Sequence, residues 1–595
     1  MDDHVRRRRL LASLGTASMA ALAGCTNLWS RAESPAPEPI SLEIKTVPAD
    51  DDLVAAQLSN RFADNLRTAG VDADQSAIDE PELRREVLME RDFDIAIIKH
   101  GGLNDPDALY PLLHSDFVGE PGWQNPFSIS DPTIDDHLET QRRGSESDRE
   151  TTLDDLFDYL IEESTIPYTV AAYHDHLGAV DSALELETVP RSPREYLNAL
   201  YTAPDSDAAA NPLRIGLFGQ QSVTRLNPIV IDLADLGPIL DLLYDSLVCR
   251  GDEGLEPWLA DSIEWSTRGD SVEALVTLPE AATWHDGEAL TAADVEFTAD
   301  FLADTSLGDA ENPIVAPRYR GRQTLIDDVR VDGTDAARVT FDTRSKAVAK
   351  RALTVPLLPE HVWEPRSEVL TDQQTEALAT DNEEPIGSGL FQFAEPDTDG
   401  RIALEAFEEH PRWDAETAEL EDSEETEMDM DTENGGSSDR PLRFDGLEFE
   451  TWPNPGAAID ALEAGEVNVI ANEIPIEEFQ TLEDRSGVSS VTRESPSFYM
   501  IGYNLRHPAL ANRRFRGVVS KLLDRETVVT EFFDGHASVP ETQTGFAGVP
   551  DSNWSGETRA TQKEFPGSDG EIDPDRARQL FEEAGYSYAD DELVE

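Results

Sequence analysis

Thr283-Trp284-His285-Asp286-Gly287-Glu288-Ala289-Leu290-Thr291-Ala292-Ala293-Asp294-Val295-Glu296-Phe297-Thr298 is the stretch from which the rest of the chain is read. Asp286-Gly287 is a turn signal, because glycine takes up the backbone conformations that tight turns require. Thr291 has the chemistry of a helix N-cap, its hydroxyl accepting an amide proton from the first turn. Asp294 stands three residues on, where an acid reaches back to the cap amide. Val295, Phe301 and Leu302 then begin an apolar face. The stretch predicts a turn that launches a helix, an ordinary strand-turn-helix junction by these signals alone.

Working outward, 595 residues correspond to two to four domain-sized units. Apolar residues make up 39%, enough for a core. Lys and Arg number 47 against 122 Asp and Glu, a net charge of −75. The lysines are Lys45, Lys99, Lys346, Lys350, Lys521 and Lys563. The acids run along the whole chain instead of forming one tail. Such a surface suits molar salt, where charges are screened over about 3 Å, and the source is read as a halophile. The same balance argues against nucleic-acid binding, which needs a basic stripe.

Two cysteines, Cys25 and Cys249, leave no disulfide framework once Cys25 has another use. Arg6-Arg7-Arg8-Arg9 followed by Leu10 to Ala23 has the layout of an export signal, too short to span a membrane as a helix. Its arginines with Leu10-Leu11 resemble a twin-arginine signal, and Leu22-Ala23-Gly24-Cys25 resembles a lipobox, which would make Cys25 the lipidated residue. Residues 26–40, with Pro35, Pro37 and Pro39, read as a tether. Cys249 reads as a small buried hydrophobe. No other run is apolar enough to cross a membrane.

Leu42 to Val47 alternates as a strand, and Val54, Leu58, Phe62 and Leu66 follow at helical spacing, with Gly70 as the stop. Phe93 to Ile98 is a continuous apolar strand, as in a sheet covered on both faces. Helices are expected near 132–142 and 150–163, and a strand over Ile166–Ala172. Residues 186–211 read as loop-rich. A second block begins with a strand at Leu213–Leu217. Residues 414–440 form an acidic Gly/Ser run that reads as a disordered insert. A last block starts near Phe498, followed by a helix with Phe515, Val518, Val519, Leu522 and Leu523 on one face. A further helix has Asp573 as N-cap, Pro574 in its first turn and Gly585 beyond its end.

The opening stretch resembles the signature of the peptide and nickel class of ABC-transporter solute-binding proteins. Further segments resemble that family in its own order: Leu226-Asn227-Pro228, Tyr244-Asp245-Ser246-Leu247, Leu259-Ala260-Asp261-Ser262, Pro385 to Leu390, Gly465-Glu466-Val467, Asn504 to Arg525, and Asp573 to Tyr586. In the family roughly a third of the chain follows that last motif. Its counterpart resembles residues 42–115, with Phe93-Asp94-Ile95-Ala96 and Asp105-Pro106, then Ser130-Asp131-Pro132 and Ile166-Pro167-Tyr168. The resemblance therefore implies an α/β, two-lobed, type II periplasmic-binding-protein-like fold, circularly permuted, with a ligand cleft between the lobes. Residues 41–172 and 496–595 would form one lobe, 212–495 the other, and 173–211 a connection between them. Strand 42–47 and strand 93–98 should then share a sheet with the strand near 499–504.

The implied function is the extracellular substrate-binding component of an ABC importer. A small solute, an oligopeptide or another, is handed to the permease and its ATPase subunits by a monomer anchored at the outer membrane face. The implied cleft segments are Asp232-Leu233-Ala234 from one lobe, with Phe498-Tyr499-Met500 and Lys99-His100-Gly101-Gly102 from the other. The aromatics Phe498 and Tyr499 read equally as core. The family's peptide binders place an acid near Gly102 or Leu103 for the peptide ammonium; this chain has none at those two positions, with Asp105 the one acid that could shift into range, which puts a free peptide in question. His174-Asp175-His176 reads as a solvated strand end more than a metal pair, and Ser388 as a turn serine. No metal, cofactor or catalytic constellation is expected. A sensor lobe for a signalling partner and a secreted hydrolase are the alternatives. The first is disfavoured by the lack of a C-terminal signalling helix, the second by the missing site.

Overall fold

The computed structural model describes residues 38–594 apart from 104, 163, 185, 203–211, 220–224, 232–235, 252–253, 395–400, 414–443, 445 and 541–563. The export signal with Cys25, most of the tether, the acidic run 414–440 and Asp232, Leu233 and Ala234 lie outside the described residues.

The first block is strand β1 (Ser41–Thr46), helix α1 (Leu53–Thr68), strand β2 (Asp72–Ala77), strand β3 (Ile95–His100), helices α2 (Pro132–Arg143) and α3 (Glu146–Glu162), and strand β4 (Tyr168–His174). Strand β1 runs parallel to both β2 and β3. Helix α1 starts where Asp52 accepts the Ala55 amide at 2.9 Å and buries Val54, Leu58, Phe62 and Leu66, the predicted face.

The middle block opens with β5 (His176–Asp181), helix α4 (Pro193–Thr202), β6 (Leu213–Phe218) and helix α5 (Gly237–Leu243). Next come β7 (Ser262–Arg268), β8 (Ser271–Thr277), helix α6 (Ala292–Ala303), β9 (Ile326–Val331), β10 (Ala336–Phe341) and helix α7 (Lys346–Ala352). It closes with β11 (Phe391–Phe393), β12 (Ile402–Ala406), β13 (Gly446–Trp452), β14 (Val469–Ile470) and β15 (Val488–Arg493). The last block holds β16 (Phe498–Tyr503), helix α8 (Arg513–Val519), β17 (Ala537–Ser538) and helix α9 (Pro574–Glu583).

Three main sheets result. The first has the order β2-β1-β3-β16-β4-β17, the second β11-β12-β13-β6-β14-β5-β15, and the third, antiparallel, β9-β10-β8-β7. The first sheet and its helices bury one continuous core, from Leu42 and Phe62 to Phe515 and Phe581. The second and third sheets have cores of their own, around Ile215 and Phe449 and around Trp284 and Phe341, so the second lobe is a double body. The chain passes between the lobes twice, at Asp175 between β4 and β5 and over 494–497 between β15 and β16. The strand pair Ser587–Ala589 and Glu592–Val594 lies beside the start of the first sheet, with the Ile40 amide donating to Leu593 at 2.9 Å.

The junction at 283–298 forms as its residues dictate. The Thr291 amide donates to Asp294 Oδ2 at 2.9 Å while Thr291 Oγ1 accepts from Ala293, a closed capping box. The Gly287 amide donates to Trp284 O at 2.9 Å, and Trp284 is fully buried in the third sheet's core. His285 meets Gly387 twice: its amide donates to the Gly387 carbonyl at 2.9 Å, and its Nδ1 accepts the Gly387 amide at 3.2 Å. The Gly-Ser-Gly of 387–389 is a close backbone approach to the end of α5. A Cβ at Gly387 would stand 1.9 Å from the Leu243 carbonyl oxygen, and one at Gly389 would stand 2.2 Å from that of Leu242.

Several expectations are corrected. Residues 186–211 are not all loop, since α4 lies there, and the stretch 173–211 is more than a connection, because β5 is an inner strand of the second sheet. Helix α8 ends at Val519, and Leu522 and Leu523 follow in a turn, yet all five residues of the predicted stripe are buried. His174 and His176 are buried rather than solvated. Cys249 is half-buried, and burial pushes its thiol up to about 11.

Candidate functional site

A cavity of about 1060 Å³ opens where the two lobes meet, and all three sheet bodies contribute to its wall. That is the upper end of ordinary ligand-site volumes, about 300–1,000 Å³. The first lobe supplies His100, Gly101, Gly102 and Trp123, the second sheet's body Ser192, Asp241, Asp245 and Trp258, and the third sheet's body Tyr319, Arg322, Lys350 and Arg351.

His100, the last residue of β3, stacks on Phe498 at 4.9 Å and meets Trp123 edge-on at 4.5 Å. Its Nδ1 accepts the Gly102 amide at 3.0 Å, so the ring proton belongs on Nε2. Burial, then the charge of Arg84, lowers its pKa to about 4. His100 therefore presents a neutral aromatic wall at pH 7. Gly102 turns the chain at φ +98, and a Cβ there would meet Pro496 at 2.7 Å. The loop after β3 and the crossing at 494–497 are thereby in contact.

Strand alternation sends Lys99 to the other face. Its Nζ lies 3.1 Å from Asp52 and 3.5 Å from Glu473, and 5.1 Å from the centre of the Tyr499 ring. Tyr499 donates its hydroxyl to Asp52 at 2.9 Å, and His174 Nδ1 lies 3.2 Å from Glu473. Glu473 belongs to the second lobe and the other four to the first, so this network bridges both crossings. Burial alone would raise the Glu473 carboxyl, but His174 and Lys99 outweigh it and hold the carboxyl well below its ordinary value of 4.5. Burial would likewise lower the Lys99 ammonium, but Asp52 and Glu473 hold it above the usual range.

A second charged knot joins the lobes under the cavity. Asp107, fully buried, accepts from Arg142 Nε and Nη2 at 2.8 Å each and from Gln141 at 3.0 Å, and it also pairs with Arg351 of the second lobe. Arg142 in turn reaches Thr324 at 2.9 Å and the Gly321 carbonyl at 3.0 Å.

Of the residues anticipated for the cleft, His100, Gly101 and Gly102 line the cavity. Phe498 stands behind His100, Tyr499 and Lys99 sit in the bridging network, and Met500 is fully buried core. Phe498, Tyr499 and Met500 are thus not cavity wall, since β16 is an inner strand with sheet neighbours on both edges. Asp232, Leu233 and Ala234 lie outside the described residues, between the lining residues Ile231 and Gly237. Ser388 is buried, and its hydroxyl accepts the Asp245 amide at 3.4 Å. His174 and His176 turn to different partners, Glu473 and Arg191. Among the described residues no group of three His, Cys, Asp or Glu could hold a metal. Missed by sequence were the basic residues of the third body. Their signal was present: Arg318-Tyr319-Arg320-Gly321-Arg322 and Arg344 to Arg351 are dense basic runs in an acidic chain.

A family model described as bacterial extracellular solute-binding proteins, family 5 Middle, matches residues 254–595. A protein of Brucella abortus named as a binding protein is 24% identical over 416 residues, 66% of this chain and 60% of its own length. The oligopeptide-binding protein AppA of Bacillus subtilis is 24% identical over 357 residues, 58% of this chain and 55% of itself. This chain thus spans less than two thirds of either relative. Among solved structures, AppA of Bacillus subtilis with a nonapeptide aligns at TM-score 0.44 and 20% identity, over 64% of this chain and 65% of that one. NikZ from Campylobacter jejuni in complex with Ni(L-His) aligns at 0.42 and 17%, over 64% and 65%.

The bridging network makes a pH prediction. A carboxyl whose pKa is lowered on folding contributes stability that is complete above its unfolded value and is lost as pH falls through the folded one. Glu473→Gln should cost about 2 kcal/mol at pH 7, because Lys99 loses a charged partner. That gap should narrow as pH falls below 4.5, where the native carboxyl begins to lose its advantage. Urea unfolding of both proteins in molar KCl at neutral and acid pH measures it, and a pH-independent gap would contradict the electrostatic account.

Proposed function

The chain belongs to the bacterial extracellular solute-binding proteins of family 5, and on that premise we propose that it is the solute-capturing component of an ABC importer. It takes a small solute between its lobes outside the cell and hands it to a membrane permease driven by ATPase subunits. The observation that carries this reading is the cavity at the meeting of two lobes that are joined by two short crossings, the arrangement of a hinge-closing binding protein. Binding alone is required of such a site, with no chemistry on the solute. In differential scanning fluorimetry in molar KCl, one class among peptides, sugars and metal chelates should raise the melting temperature. At a hundredfold excess over Kd the gain is about 2.7 kcal/mol. Turnover of peptides or glycosides by the purified protein would overturn the reading in favour of a hydrolase.

The sequence Leu22-Ala23-Gly24-Cys25 supports export followed by lipid anchoring at the outer membrane face. No helix among the described residues is long and apolar enough to cross a membrane. Cys25→Ala should release the protein to the medium or leave it unprocessed; unchanged membrane retention and mature mass would sink the lipobox.

We also propose that the chain is a circular permutant of its family. The support is that β16, from the last block, pairs with β3 and β4 from the first, while Val594 bridges Pro39. Residues this close can be joined and the chain reopened elsewhere at little cost. A chain reordered to begin at residue 212 and to carry 39–211 after 595 should fold and show the same ligand response. If it is insoluble or unfolds without cooperativity, the permutation idea fails.

A further inference from the structure

The charge on the cavity wall has the opposite sign to the charge on the chain. Acids outnumber Lys and Arg by 122 to 47 over the whole sequence. Among the described residues that line the cavity, eight are Arg or Lys and three are Asp. The third sheet's body contributes Arg318, Arg322, Lys346, Lys350 and Arg351, and Arg84, Arg194 and Arg250 stand on the other walls. Two of the chain's few lysines, one helical turn apart on α7, are among them.

The three acids have other engagements. Asp245 accepts from Trp258 Nε1 at 2.8 Å and lies 2.9 Å from His410 Nε2. Asp105 pairs with Arg149 at 2.6 Å. Asp241 acts on Arg322 as a nearby opposite charge. Arg84 and Arg351 are paired with Glu80 and Asp107, but the two lysines are held by neutral groups. Lys350 donates to the Leu255 carbonyl at 2.7 Å, and Lys346 lies 5.2 Å from the centre of the Trp265 ring. Such partners position a cation and leave its charge standing. Burial, then the like charge of Arg351, lowers the Arg322 pKa, and burial, then Lys346, lowers that of Lys350. An anion placed among these groups removes that mutual repulsion.

We propose that the cleft takes a small solute carrying several carboxylates. This rests on the reading of the cavity as the ligand site. Two sources share that chemistry, acidic oligopeptides and non-peptide polycarboxylates. Proteins of this composition, with 122 acids in 595 residues, release peptides with an acid at about every fifth position. In molar salt the attraction between exposed charges is screened, while pairs inside a cleft are screened far less.

Calorimetric titration of the full chain in molar KCl tests this with tetraglutamate, N-acetyl-tetraglutamate, citrate, tetra-alanine and tetralysine. A carboxylate-rich probe should bind at least tenfold more tightly than tetra-alanine, and tetralysine should not bind. Lys346→Gln and Lys350→Gln should each weaken the acidic probe several-fold, while Arg268→Gln, on a strand away from the cavity, should leave it unchanged. A lead for the glutamate peptides assigns the peptide source, and a lead for citrate assigns the other; either supports the proposal. If tetra-alanine binds as tightly as the acidic probes, or if the two lysine variants change nothing, carboxylate selectivity is wrong while the binding reading stands. If none of the five binds, the proposal falls, and a response to the sugars or metal chelates of the wider panel tells whether the binding reading falls with it.

Discussion

Strand β16 is the element on which the rest depends. Its six residues pair antiparallel with β3 on one edge, and five of them pair with β4 on the other, so chain from late in the sequence completes the middle of the first sheet. Without it β3 and β4 would each present an open row of backbone donors and acceptors. Its side chains from Phe498 to Ile501 are buried, and Asn504 just beyond it donates to the Arg91 and Phe93 carbonyls at 3.0 and 2.8 Å. Both passages between the lobes abut this strand. Its position therefore sets where the two crossings lie, and so where the lobes meet around the cavity.

The scarcity of cations gives the second theme. A chain with few lysines places Lys99 across the two crossings and Lys346 and Lys350 at the cavity, and it uses Arg142 and Arg351 to hold the buried Asp107 between the lobes. A buried carboxylate is costly unless it is fully paired. Asp107 meets that condition with two guanidinium groups and an amide, drawn from both lobes. Charged pairs thus join the lobes both beside the cavity and at the crossings. In molar salt such partly buried pairs keep strength that exposed ones lose.

Much of the fold was legible because it is written in local patterns. The face of α1, the apolar run of β3, the caps at Thr291 and Asp573 and the buried residues Phe515, Val518 and Val519 of α8 all depend on neighbours within a few turns. The misses are of another kind. Strand β5 is a buried strand separated from β4 by Asp175 alone, so the change of sheet is marked by a single residue inside an otherwise continuously buried run. Helix α4 lies in a stretch whose Pro and Asp content reads as loop. The roles of Tyr499 and Lys99 followed from strand alternation, which sends them away from the cleft while His100 faces it.

By itself the sequence determined the junction at 283–298, many of the strands and helices and the sign of the net charge, because caps, periodicity and composition act over short distances or over the whole chain. It also carried the basic runs at 318–322 and 344–351 without showing what they surround. Only the tertiary structure decided that β16 lies between strands more than three hundred residues earlier, that Asp107 finds Arg351, and that cations from three bodies line one cavity. Those are long-range meetings. Backbone pairing and charge compensation select them from many alternatives, and no local pattern in the chain specifies which partner is met.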